Sequence, residues 1–432
     1  MVGSINKRGL ALTLFLVLLT MNNVYAKDHI LDWKVISDKK FRCSNLTSTD
    51  IFVDKDNNTF VLIGVNGTKY YKALSHINNN WIRVDKYGIL LNGFIKDGYL
   101  HLAFRKDQDV VIYNIREDIK FVSRISIAEI SSKFSILGNI NRVIPVSGSN
   151  NSYYLLTQDS RSSVHPVAFL MDVLSAGHGV HYRKPFLIQV RDKKLAKPRK
   201  LRYGGKIDET FLIEEVVKGK DSIHFLGFRG AETPETSGPP AFARNKPVIL
   251  HYADYDFKKK KTTRKHSICT KTPEIKFDKN TDMNSTDMKS YYGPLSMDNL
   301  KDDIFVVFSW VERHNYRAGF NINNIRPDVY YWQYSDNASG DIEKIGNGFS
   351  PLVMVDSIGN VHVLWGNSDG CLVHKVKKNG KWSDEKIILN NVDIYPRIIV
   401  TRYIPAEFDK DNNLHVVYPS GGSLVHAVVK VN

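Results

Sequence analysis

The 432-residue chain carries 60 Lys and Arg against 45 Asp and Glu, a formal net charge of +15, with 42% hydrophobic and 24% charged residues. These proportions exclude collagen-like, disordered and disulfide-scaffold classes and leave a globular protein with a large core. A basic surplus of this size points to an anionic partner such as an acidic polysaccharide, an anionic surface or a nucleic acid.

The chain opens on Lys7 and Arg8, continues through an apolar run from Gly9 to Met21 that is too short to span a bilayer, and reaches Val24-Tyr25-Ala26. A basic start, a short apolar stretch and a small-residue cleavage site make residues 1–26 a signal peptide, cut after Ala26. No Cys follows the cut, so a lipid anchor is not expected, and no later stretch reaches the roughly 20 apolar residues of a membrane span. The expected product is secreted or periplasmic. Cys43, Cys269 and Cys371 are odd in number and lack C-x-x-C spacing, so they indicate neither a metal knuckle nor a disulfide framework. One bridge between two of them is left open.

From there a short unit repeats: a polar turn, an alternating strand, then a second apolar strand. The two clearest copies are Val355-Asp-Ser-Ile-Gly-Asn-Val-His-Val-Leu-Trp365 and Phe408-Asp-Lys-Asp-Asn-Asn-Leu-His-Val-Val-Tyr418. Five weaker copies precede them, starting at Asp56, Asp97, Asn150, Lys220 and Asp302. The equivalent strand positions are Phe60, His101, Tyr154, His224, Phe305, His362 and His415. The shortest interval, Phe60 to His101, fits the roughly 40 to 50 residues of a four-stranded propeller blade. Outer strands led by Trp appear at Asn80-Trp81 and Lys381-Trp382, but the last copy has none, and Asp32-Trp33-Lys34-Val35-Ile36 near the mature N-terminus has the missing pattern. An open ring would leave two sheet edges bare. The expected fold is therefore all-β, a seven-bladed β-propeller closed by pairing of the N- and C-terminal strands, with residues 27–432 as one domain; a two-sheet sandwich accommodates seven serial units poorly.

A residue repeated around the ring serves packing, so His101, His224, His362 and His415 read as structural. Asp54-Lys-Asp56 and Asp409-Lys-Asp411 lack the Gly and closing Glu of a calcium loop and read as hairpin turns, as does Lys258 to Lys261.

Most copies join their second and third strands by about five residues, but copies three, four and five do so through about Gln158 to Lys184, Arg229 to Lys246 and Val311 to Pro327. Strands of a blade alternate in direction, so these three connections open on one face, where long loops carry function. They hold His165, His178, His181, Tyr182 and Arg183, then Arg229 and Arg244, then Arg313, Tyr316 and Arg317. Their acids are few: Asp159, Asp172, Glu232, Glu235 and Glu312. Glycosidase chemistry needs a carboxyl pair, whereas this composition suits holding an anion and moving protons by His or Tyr. His178-x-x-His181 has no third ligand nearby, so no metal is expected, nor any cofactor.

With seven such copies and a His/Tyr/Arg-rich face, the chain resembles the secreted β-propeller polysaccharide lyases that cleave ulvan, and more distantly the BNR-repeat, sialidase-like propellers. It carries neither an intact Ser-x-Asp-x-Gly-x-x-Trp box nor a Phe-Arg-Ile-Pro segment, since Arg142-Val-Ile-Pro145 is spaced differently. The resemblance implies β-elimination on a uronic acid. His165, His178, His181, Tyr182 and Tyr316 are then the candidates for base and acid, and Arg183, Arg229, Arg244, Arg313 and Arg317 those for holding the substrate carboxylate. The same groups could expel water from an unsaturated uronyl oligosaccharide. A non-catalytic lectin for acidic glycans and a sialidase-like hydrolase are the alternatives. The expected partner is an anionic poly- or oligosaccharide rather than a nucleic acid, bound by a monomer.

Overall fold

The structure is a computed structural model and describes residues 30–36, 46–65, 68–73, 81–107, 109–115, 119–126, 139–146, 152–158, 185–192, 194–201, 211–229, 249–269, 290–312, 328–335, 338–393 and 404–431. These residues form seven antiparallel sheets. The strand β1 (Ile30–Val35) comes first in the chain but belongs to the last sheet. Blade 1 is β2 (Leu46–Val53), β3 (Thr59–Val65), β4 (Thr68–Ala73) and β5 (Ile82–Arg83). Blade 2 is β6 (Ile89–Lys96), β7 (Tyr99–Lys106), β8 (Asp109–Ile115) and β9 (Ile119–Ser126). Blade 3 is β10 (Asn139–Pro145), β11 (Ser152–Gln158) and β12 (Pro185–Arg191), with an outer strand in two pieces, β13 (Lys194–Leu195) and β14 (Arg199–Lys200). Blade 4 is β15 (Phe211–Lys218), β16 (Ser222–Arg229), β17 (Ile249–Asp256) and β18 (Lys261–Cys269). Blade 5 is β19 (Ser290–Leu300), β20 (Asp303–Glu312) and β21 (Asp328–Ser335), edged by β22 (Ala338–Ser339) and β23 (Glu343–Asn347). Blade 6 is β24 (Phe349–Val355), β25 (Val361–Gly366) and β26 (Leu372–Lys378), edged by β27 (Lys381–Trp382) and β28 (Lys386–Leu389). Blade 7 is β29 (Ala406–Phe408), β30 (Asn413–Ser420) and β31 (Ser423–Lys430), completed by β1.

The chain is a closed seven-bladed propeller. Closure is by the expected strand pairing, with Trp33 opposite Ala427, Lys34 opposite His426 and Val35 opposite Val425, and the Ile36 amide donates to the Leu424 carbonyl at 2.9 Å. Innermost strands of neighbouring blades meet, β6 against β10, β15 against β19, β19 against β24, and β2 against β29 across the seam.

The core is seven cores, one in each gap between blades. Phe60, Leu102 and Phe104 fill the gap between blades 1 and 2, and Ile36, Ile63, Val417 and Leu424 fill the seam between blades 7 and 1. Period-2 alternation sends the two faces of one strand into different gaps. On β16, Phe225 packs toward blade 3 and Leu226 toward blade 5; on β25, Val363 and Trp365 pack toward blade 5 and Leu364 toward blade 7. The seven repeat positions face the following blade: Phe60 into the gap with blade 2, Tyr154 with blade 4, Phe305 with blade 6, while His362 packs on Phe408 and His415 meets Thr59. All four repeated histidines are buried.

The acidic turns are hairpin turns. In blades 1, 6 and 7 the carboxylates of Asp54, Asp356 and Asp409 each accept two backbone amides, from Asp56 and Asn58, Ile358 and Asn360, and Asp411 and Asn413. In each, the Asn side chain also donates to the second carboxylate oxygen. Asn57, Gly359 and Asn412 take positive φ there, which is why Asn and Gly recur at that place. Lys258 likewise sits in the turn between β17 and β18, ion-paired to Asp221 at 3.0 Å. Cys371 is a free thiol. Among the described residues no helix is long and apolar enough to cross a membrane, a statement that does not bear on strands.

Candidate functional site

Strand direction divides the propeller into two faces. The first-to-second turns share one face, and side chains stitch them together: Asn57 Nδ2 donates to Asp411 Oδ2 at 3.1 Å, the Lys410 amide to Asn57 Oδ1 at 3.2 Å, and the Ser357 amide to Asn412 Oδ1 at 3.1 Å. That links blades 6, 7 and 1, and Lys55 N to Gly98 O at 2.9 Å extends the belt to blade 2.

The second-to-third connections open on the opposite face. Blades 1, 2 and 7 leave only residues 66–67, 107–108 and 421–422 between these strands, tighter than the five residues expected from sequence, whereas blade 6 does use five, 367–371. In blades 1 and 7 the residues between the strands are Asn66-Gly67 and Gly421-Gly422, which read equally as loop or as a two-residue turn; in blade 2 they are Asp107-Gln108. In blades 3, 4 and 5 the same connections run over 159–184, 230–248 and 313–327. The long connections thus leave three adjacent blades on one face.

His165, His178, His181, Tyr182, Arg183, Arg244, Arg313, Tyr316 and Arg317 lie outside the described residues, within these three connections. Arg229 is the last residue of β16, opposite Phe211 and Ile249 on the same face, and its side chain also lies outside the description. The returning strand of blade 5 is anchored where its loop rejoins the sheet: Asp328 pairs with Lys344 at 2.7 Å and accepts the Tyr330 hydroxyl at 3.2 Å.

The innermost strands position a second set of polar groups, which sequence reading did not single out. Each such strand has a bare edge toward the axis, and side chains of the preceding blade satisfy part of it. Asn92 accepts the Val143 amide at 2.9 Å, Ser296 Oγ accepts that of Val353 at 3.1 Å, and Asp298 Oδ2 accepts that of Val355 at 2.8 Å. Bulges near the start of β2, β6, β10, β15, β19 and β24 re-aim the residues that follow.

Charge on these strands is divided. Blades 2 to 4 contribute Lys96, whose buried ammonium pairs with Asp97 at 2.7 Å, Arg142 at 3.7 Å from Glu215, and Lys218, whose ammonium burial holds below the usual lysine range. Blades 5 and 7 contribute the carboxyls of Asp298 and Glu407. Burial raises Asp298 to about 6, against the pull of its amide donors Asn299 and Val355. The strands crowded round Glu407 raise it to about 8, with Asp298 adding to the shift. The Glu407 side chain itself is exposed, so the upward shift comes from the crowding of neighbouring strands and from Asp298 rather than from loss of contact with water. Two carboxyls with separated proton affinities can hold one proton between them at neutral pH, the arrangement of a general acid beside a base. The sequence signal was a lone acid on the innermost strand shortly before a turn, as in Ala406-Glu407-Phe408 and Met297-Asp298-Asn299.

No protein-family model and no curated sequence matches the chain. Among solved structures it is similar to the α-L-arabinofuranosidase Arb93A of Fusarium graminearum in complex with an iminosugar inhibitor, at 11% identity and a TM-score of 0.42 over 93% of this chain and 96% of that one. It is also similar to the Penicillium chrysogenum α-L-arabinanase complexed with arabinobiose, at 9% identity and 0.43 over 93% and 98%. The β-propeller domain of the trilobed protease of Pyrococcus furiosus aligns at 11% identity and 0.39 over 78% and 79%. At these identities the likeness is one of fold.

Proposed function

We propose that this protein is a secreted carbohydrate-active propeller that binds a uronate-containing glycan on the face of blades 3 to 5 and acts on it by β-elimination, releasing either a sugar or water. The observation that carries this reading is the placement of all three long connections on adjacent blades of one face, with their Arg, His and Tyr content. A lectin would repeat its site from blade to blade; three specialised neighbours make one asymmetric site. In such a site the guanidinium forks of Arg183, Arg229 and Arg313 hold the uronate carboxylate and stabilise the enolate that forms when C5 loses its proton. A neutral His, or a Tyr as its phenolate, among His165, His178, His181, Tyr182 and Tyr316 takes that proton, and a protonated His or neutral Tyr of the same set protonates the departing O4.

The test is incubation with ulvan, glycosaminoglycans and their oligomers, following both the ultraviolet absorbance of unsaturated uronyl groups and the release of reducing ends. Elimination changes the absorbance, and at least one of His165→Ala, His178→Ala and His181→Ala then lowers the rate about a hundredfold with folding intact. Activity that survives all three moves the chemistry to the tyrosines. A second reading rests on Asp298 and Glu407: new reducing ends without any absorbance change would support a glycoside hydrolase that uses this carboxyl pair. Binding without either product would make the protein a lectin.

A further inference from the structure

Blades 6 and 7, the last two before the ring closes, each bury a three-membered chain of titratable groups. In blade 7, His415 Nε2 lies 3.3 Å from Asp409 Oδ2, and His415 Nδ1 lies 3.1 Å from His426 Nε2 and 3.1 Å from the Thr59 hydroxyl of blade 1. In blade 6, His362 Nε2 lies 3.2 Å from Asp356 Oδ2 and His362 Nδ1 lies 2.9 Å from His374 Nε2. The carboxylate fixes the tautomers: His415 donates from Nε2 to Asp409, so its Nδ1 accepts from His426 Nε2, and His426 is left with a bare lone pair on Nδ1. That Nδ1 is buried and has no partner. A proton can therefore enter the blade 7 chain in two places only. On His415 Nδ1 it displaces the bond donated by His426 and leaves the Thr59 hydroxyl to turn round and accept; on His426 Nδ1 it puts a charge into a buried site without an acceptor.

The position of His426 gives this a mechanical consequence. It stands directly opposite Lys34 of β1, the strand that closes the ring. We propose that the Asp409–His415–His426 chain is an acid-released latch on the seam between blades 7 and 1: neutral, it holds the seam shut, and protonated, it sets His426 against Lys34 and lets β1 and the seam open before the rest of the propeller unfolds.

The charged groups around the chain pull in both directions, and burial decides the sign. Lys34 disfavours a proton on both histidines, while Asp409 and, more weakly, Asp32 favour one on His415, and Glu407 stands opposite His415 on β29. Burial is the largest influence and holds both histidines below the ordinary value, His426 at about 3. In the twin chain of blade 6, Lys378 and Lys386 act as Lys34 does, and His374 is also held at about 3. A group whose folded value is depressed below about 6.5 binds protons more readily once released, so the seam loses stability as pH falls from about 6.5 toward about 3. At pH 5 the His426 effect alone amounts to about thirtyfold in the opening equilibrium. Asp409 is held below the ordinary carboxylate range by its hydrogen bonds and so adds nothing above pH 5. Glu407 is already protonated in the fold over that range and favours the folded state as pH falls, but β29 is the far strand of the blade from β1 and does not move in the local opening.

The test is amide hydrogen exchange by mass spectrometry on the whole protein at pH 7 and pH 5, corrected for intrinsic rates, with histidine C2-hydrogen exchange on the same samples. Peptides covering 30–36 and 424–430 should exchange about twentyfold or more faster at pH 5, peptides covering 99–115 of blade 2 less than about twofold faster, and His426 should titrate far below a free histidine. His426→Gln, which keeps a donor for His415, should remove most of the acceleration, leaving the part due to His415, whereas Val416→Ala, a core change in the same blade, should keep it. Equal acceleration in both blades, none at the seam, or a His426 that titrates near about 6.5 would overturn the proposal, and the wild-type readings decide it even if a variant fails to fold.

Discussion

The closing strand should be held chiefly by one side chain, which makes Ile36→Ala a sharp test of the seam. Ile36 is 1% exposed and packs with Ile51, Val61, Ile63, Val417 and Leu424, and its carbonyl accepts the Trp81 indole N–H at 2.9 Å. Truncation to Ala removes about three buried carbons, worth about 0.8 kcal/mol each, and leaves a cavity between two blades that cannot close up without breaking their register. The expected loss is about 3 kcal/mol. Its neighbour Val35 is 50% exposed on the outer side of the same strand, so Val35→Ala should cost under about 1 kcal/mol. Urea unfolding followed by tryptophan fluorescence measures both. Equal costs for the two substitutions, or no cost for either, would mean that residues 30–36 do not close the ring in solution.

Other expectations follow from the same geometry. Asp54→Ala removes the acceptor for two turn amides and the Asn58 side chain, and should cost about 1–3 kcal/mol in urea unfolding, with Asp54→Asn recovering part of it. Gly88 has φ +128° and a Cβ there would stand 2.4 Å from the Arg105 carbonyl oxygen, so Gly88→Ala should lower the melting temperature by several degrees, about as a 1–3 kcal/mol strain would. Glu407 is protonated in the fold up to about pH 8 and ionises far lower when unfolded, so its contribution is present at low pH and is lost as pH rises through about 8; Glu407→Gln should flatten the stability–pH curve above pH 6. Binding of an acidic polysaccharide should weaken steeply between low and high salt if the arginines of the three connections carry it, and indifference to ionic strength would count against them.

Much of the ring was legible in the sequence because each blade repeats one solution to one packing problem. Asp-x-x-x-Asn followed by alternating apolar residues encodes a turn whose carboxylate satisfies its own amides and a strand that feeds two gaps, and the recurrence of His or an aromatic at the position facing the next blade made the copies alignable. Closure was legible by subtraction, since a blade without an outer strand leaves an edge that Asp32 to Ile36 fits. Turn lengths in blades 1 and 7 were not, because Asn-Gly or Gly-Gly beside a strand can end it or sit within the hairpin, and in blade 2 Asp107-Gln108 carries no turn signal of its own. Asp298 and Glu407 were missed for a different reason: they lie on the least regular strands, interrupted by bulges or, in β29, three residues long, where the alternation that marks inside and outside is broken. The His–His partnerships were also invisible, because His374 and His426 follow their partners by 12 and 11 residues across a hairpin whose register the sequence leaves open.

The claim that the ring is scaffold and that three connections do the work is tested most directly by shortening them. Replacing 159–184, 230–248 and 313–327 with the two-residue turn that joins β7 to β8 should leave a folded propeller, by circular dichroism and a cooperative melt, that neither binds nor alters a uronate glycan the full chain acts on. A shortened protein that keeps that activity would place the site elsewhere, with Asp298 and Glu407 the first residues to substitute.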